Sequence, residues 1–180
     1  MGSHVFRHCN KLESVDFPKL RGTPGFQSFQ NCHSLAYVNF PLVTTLPYLM
    51  ITNNYVMTEI YLPKVETVAG NGLNSMYALE KITLDSVTEF AANSFNYFPK
   101  LETLIIKQAN SVATMANTNV FTSCGITTSK GSIYVPDALV EDYKTATNWS
   151  VYASQIKPLS EYILCTNVTL EASELTISDG

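Results

Sequence analysis

The side chains best suited to chemistry in this chain are few and scattered. Histidine occurs at His4, His8 and His33, and cysteine at Cys9, Cys32, Cys124 and Cys165. His8-Cys9 and Cys32-His33 supply the ligand types of a zinc site, and the 23-residue offset from Cys9 to Cys32 matches a spacing that recurs along the chain. The two histidines fall on opposite sides of their cysteines, so the pairs do not superimpose. A cysteine that fills an apolar slot behaves as a small hydrophobe, and we read Cys9 and Cys32 that way, with no metal and no disulfide expected. There is no CxxC spacing, and four cysteines in 180 residues are too few for a disulfide scaffold, so cysteine usage does not indicate a compartment. Nucleophilic catalysis has no better footing. No G-x-S-x-G turn occurs, and the "GNG" of Gly70–Gly72 lacks the strand, loop and helix that a phosphate cradle requires. No enzyme activity and no cofactor are expected.

Composition narrows the partners. Only 14% of the residues are charged and 46% are hydrophobic, so much of the surface must be uncharged and polar. The net charge is −4, and the 11 lysines and arginines stand singly instead of forming a stripe that could follow phosphates, which argues against nucleic acid. No run approaches the roughly 18 apolar residues of a membrane span.

What positions these residues is a repeat. The cassettes "LESVDFPKL", "LAYVNFPLV" and "MTEIYLPKV" start at Leu12, Leu35 and Met57, and weaker copies start at Leu79 and Leu101, at intervals of 23, 22, 22 and 22. Fixed self-similarity at this period is the mark of a solenoid. Three residues into each copy stand Val15, Val38, Ile60, Ile82 and Leu104, and two further on stand Phe17, Phe40, Leu62, Leu84 and Ile106. This two-residue alternation predicts a short strand with one buried face. Pro18, Pro41 and Pro63 then end the strand, while Asp85 and Lys107 take that place in the later copies. Further apolar columns are Leu20, Val43, Val65, Val87 and Ala109, then Leu46, Val68, Phe90 and Val112, and, six residues before each start, Phe6, Phe29, Ile51, Leu73 and Phe95. One coil cannot bury these residues alone, but coils stacked at about 4.8 Å cover one another. Each fully buried aliphatic or aromatic side chain contributes about 1.5–3 kcal/mol, which offsets chain entropy.

The residues between the buried ones form two outward columns. The first holds Ser14, Tyr37, Glu59, Lys81, Thr103 and Ser132, and the second Asp16, Asn39, Tyr61, Thr83, Ile105 and Tyr134. Tyrosines offer large contact area at low entropy cost, so Tyr37, Asn39, Glu59, Tyr61, Lys81, Thr83 and Tyr134 are the candidate binding residues. The simpler reading is a solvated sheet face on which tyrosines pair across strands and Glu59 and Lys81 form an exposed ion pair.

The pattern L-x-x-V-x-F-P, preceded by F-x-x-C in "FRHC" and "FQNC", resembles the BspA-type leucine-rich repeats of bacterial surface proteins, over about residues 4 to 136. The resemblance implies a mainly β leucine-rich-repeat solenoid of about five to six coils with a short helical cap. It also implies a non-enzymatic interaction module, extracellular or on the cell surface, that binds a protein or glycan on a concave sheet. A structural spacer presenting another domain is the alternative. The first residues show no charged stretch followed by an apolar segment, so location rests on the resemblance alone. The expected organisation is a solenoid over residues 1–136, a cap over 137–162, and a terminal strand or the start of an Ig-like domain over 163–180. The chain opens inside a repeat, so further coils are expected upstream. Ile133 and Val135 form a degenerate sixth cassette, Asp137 is expected to N-cap a helix through about Thr145, and Leu139, Val140, Tyr143, Trp149, Tyr152 and Ile156 are expected to seal the end.

Overall fold

The computed structural model describes residues 1–128 and 131–162. Every strand pairing in it is parallel, as a chain winding repeatedly in one direction requires. Cassette strands run over Ser14–Asp16, Tyr37–Asn39, Glu59–Leu62, Lys81–Leu84, Thr103–Ile106 and Ser132–Val135, and we number the coils one to six by them. Two further four-stranded ladders close the coil. One joins Thr45–Leu46, Thr67–Val68, Glu89–Phe90 and Thr114–Met115, and the return ladder joins Phe29–Gln30, Ile51–Asn54, Leu73–Met76 and Phe95–Asn96.

The register stacks equivalent residues. Val15 pairs with Val38, Ile82 pairs with both Ile60 and Leu104, and Leu104 pairs with Ile133. The core follows the predicted columns, and Phe6 stacks on Phe29 with centroids 5.3 Å apart. Beyond coil six, Trp149 and Tyr143 are fully buried, Leu139 and Val140 are half-buried, and Ile156–Pro158 adds a seventh rung.

Three expectations about the core columns and the cap fail, each for a local reason. In coil five Ala109 is exposed and Val112 only half-buried, because a turn closed by Gln108 Oε1, accepting from Asn110 and Ser111 N–H, inserts three residues; Ala113 and Met115 take the core slots. The cap pins this shifted segment, with Trp149 Nε1 donating to the Ala113 carbonyl (2.6 Å) and Ala113 N–H donating to Tyr143 Oη (3.0 Å). In coil one Gly22, in place of Leu20, pairs with Val43, leaving Leu20 half-buried. Asp137 does not cap: a 3₁₀ turn over Asp137–Leu139 leads into the helix Val140–Thr145, and the carboxylate accepts from Ser160 N–H instead (3.0 Å). The reading of residues 163–180, and Cys165 with it, lies outside the described residues.

Each of the first five coils also contains two left-handed residues that the apolar pattern did not predict. His4, Gln27, Leu49, Asn71 and Asn93 form one column with φ of 53 to 62°, and His8, Asn31, Asn53, Ser75 and Tyr97 form another with φ of 52 to 65°. For a non-glycine residue this conformation costs about 1–2 kcal/mol, and asparagine tolerates it best. Side chains in these columns bond from coil to coil: His4 with Gln27 (2.7 Å), Asn31 with His8 (3.2 Å) and Asn53 with Asn31 (2.6 Å).

Candidate binding cleft

Six of the seven candidate residues come together. Tyr37, Asn39, Glu59, Tyr61, Lys81 and Thr83 line one cleft of ≈ 220 Å³ whose floor is Val38 and Ile60. The cleft lies where the cassette sheet divides. Coils one and two share one sheet and coils three to six another, and Tyr37–Asn39 forms no ladder with Glu59–Leu62. Elsewhere along this face a backbone bond leads into each neighbouring strand, from Ala36 to Glu13, Glu80 to Thr58, Glu102 to Glu80 and Ser132 to Glu102; none joins Thr58 to Ala36. The floor shows the opening: Val38 is 7% and Ile60 3% exposed, against 0% for Ile82, Leu104 and Ile133.

Behind the seam, Asn54 joins the two coils. It occupies the core column that holds Cys32, Met76 and Phe98 in other coils. Its Nδ2 donates to the carbonyls of Cys32 (3.2 Å) and Leu35, and its Oδ1 accepts from the N–H groups of Val56 (3.1 Å) and Met57 (2.9 Å). A buried amide with all these bonds made is stabilising, whereas an unpaired one would be costly.

The cleft walls are held unequally. Tyr61, 51% exposed, donates its hydroxyl to Asp85 Oδ2 (2.5 Å); Lys107 Nζ lies 3.1 Å from Asp85 Oδ1 and 5.5 Å from the Tyr61 ring centroid. The two residues that replace proline in coils four and five thus clamp a tyrosine of coil three. The Asp85 hydrogen bond holds the Tyr61 phenol above its usual range. Tyr37, 56% exposed, has no ring partner among the described residues. Glu59 and Lys81 are ion-paired across adjacent coils, and this contact raises the lysine; so exposed a pair contributes about 1 kcal/mol or less. Asn39 Nδ2 donates to Asp16 Oδ1 (2.9 Å).

Tyr134 does not join this group. It lies in coil six, with its ring 5.0 Å from that of Tyr162. Beside it Ile105, expected on the open face, is only 3% exposed, so the cassette face is open mainly over the earlier coils.

Of the two cysteines read as filling an apolar slot, Cys32 is buried, but Cys9, in the first coil, is exposed. Cys9, Cys32 and Cys124 are free thiols, and Cys32 Sγ donates to the Phe6 carbonyl (3.0 Å). Burial pushes the Cys32 thiol up to about 11 and that of Cys124 up to about 12. His33 packs on Tyr55, which stacks on Tyr77 with centroids 5.0 Å apart. No group of three or more metal-ligating side chains gathers among the described residues.

A family model of the BspA type leucine rich repeat region matches residues 1–130 in six copies. The chain belongs to this family. No curated protein matches the chain. Membership in the BspA-type family makes it a repeat module of the protein-interaction kind. No helix among the described residues is long and apolar enough to cross a membrane. Asn54, Asp85 and Lys107 were missed as site residues, although the polar interruption of an apolar column and the loss of proline were both visible in the sequence.

Proposed function

We propose that this chain is a non-enzymatic recognition module of a secreted or surface-attached protein, with its contacts in the cleft between coils two and three. The observation that carries the reading is the convergence of six outward residues, two of them half-exposed tyrosines, at the boundary where the cassette sheet divides. Exposed tyrosine on a rigid scaffold loses little entropy on binding. A spacer would need neither a clamped tyrosine nor an opened seam.

The test is a screen of the intact chain against immobilised glycans and extracellular proteins, repeated with Tyr37→Ala combined with Tyr61→Ala. The expected result is a ligand whose affinity falls at least about tenfold in the double variant, with the thermal midpoint moved by less than about 2 °C. A ligand bound equally well by both forms would overturn the cleft assignment.

A further inference from the structure

We infer that the cleft takes a single uncharged pyranose ring of a glycan, stacked against the free face of Tyr61. This rests on the recognition reading above and narrows it to one ligand class.

Charge decides first. The carboxylates and ammonium groups around the cleft already have partners: Glu59 holds Lys81, Asp85 holds both Lys107 and the Tyr61 hydroxyl, and Asp16 accepts from Asn39. An ionic guest would compete with these contacts, whereas a neutral one with hydroxyl groups can bond around them. Asn39, Thr83 and the Tyr37 hydroxyl provide uncharged polar groups at the rim.

The ring geometry points the same way. Lys107 stands over the Tyr61 ring and Asp85 fixes its hydroxyl, so the ring is held in one orientation with a face still accessible. A cation already on the ring makes it a poor site for a second one, which disfavours an arginine or lysine from a protein partner. The apolar C–H face of a sugar binds mainly through dispersion, and that contact survives. Size agrees: ≈ 220 Å³ is below the roughly 300 Å³ at which drug-sized pockets begin, and suits one ring.

The experiment titrates the intact chain with cellotriose, mannotriose and chitotriose as neutral probes and trigalacturonate as an anionic one, using calorimetry and saturation-transfer NMR. At least one neutral trisaccharide should bind with Kd of about 1 mM or tighter. Its affinity should change less than about twofold between about 0.05 and 0.5 M salt, because no ion pair is formed. Tyr61→Ala should weaken it at least about tenfold, and Tyr61→Phe, which keeps the ring but frees it from Asp85, about threefold. Saturation by none of the neutral probes, steep salt dependence, or preference for trigalacturonate would overturn the inference. A protein ligand that depends on Tyr37 and Tyr61, with all sugars inert, would sink the sugar while leaving the recognition reading intact. Sugar binding unchanged in Tyr61→Ala, with its urea midpoint preserved, would remove the cleft from both.

Discussion

At the boundary between coils two and three, the front and back of the molecule behave differently. On the return side the ladder crosses without interruption, with Phe29 opposite Ile51 and Gln30 opposite Thr52. On the cassette face the sheet stops at Tyr37–Asn39 and resumes at Glu59–Leu62. The same pair of coils is thus bonded behind and parted in front, with Asn54 bridging between. Stacking and recognition make opposite demands on a solenoid. A sheet paired along its whole length presents only side-chain tips, whereas a seam opens a cleft between rungs without separating the coils.

The largest effect should come from placing a charge on either side of this boundary. Ile51→Asp buries an unpaired carboxylate in the closed back and should abolish cooperative unfolding. Val38→Asp, on the cleft floor, should cost about 3–5 kcal/mol and leave a measurable urea transition. Equal losses would erase the distinction between front and back. Next, Asn54→Ala removes four hydrogen bonds to backbone groups, three of them buried, and should cost about 2–4 kcal/mol. Amide hydrogen exchange should rise first in the cassette strands of coils two and three and least at Ile51; uniform exchange would show that Asn54 does not hold the seam.

A smaller effect tests the strain carried behind. Tyr97 has φ of 63° and an exposed side chain, and its N–H donates to the Thr122 carbonyl. Tyr97→Gly keeps that bond and removes the left-handed penalty, so the urea midpoint should rise by the equivalent of about 0.5–1 kcal/mol. A fall would mean that the ring itself contributes packing.

The smallest change is spectroscopic. The Asp85 bond raises the Tyr61 phenol, so its stabilising contribution is present at neutral pH and is lost as pH climbs through the raised value. In Asp85→Asn an ultraviolet difference titration should show one tyrosine moving back toward the ordinary phenol range. No movement would mean that the clamp is not maintained in solution.

The buried columns were legible because packing a stacked coil demands apolar residues at fixed spacing: Val15 aligns with Val38, and Ile60 with Ile82 and Leu104, as read. Six of the candidate residues were legible as outward positions for the same reason. The seam was not. Val38 and Ile60 fit their column as well as Ile82 does, and only the backbone between them differs. Ala109 and Val112 were misplaced because an insertion closed by a glutamine side chain preserves the apolar character of the sequence while shifting which residues face inward. The left-handed columns escaped notice because histidine, glutamine, leucine, serine and tyrosine share them with asparagine, so no single residue type marks the position. Tyr134 is outward by alternation, yet its ring meets that of Tyr162, a contact that no repeat pattern encodes.

The continuous return ladder has a mechanical consequence. Under tension along the stacking axis, two coils fastened at the rear and parted at the front would gape like a book held by its spine. The distance between Tyr37 and Tyr61 would widen before any rung gave way, so load on the array would change the shape of this cleft first.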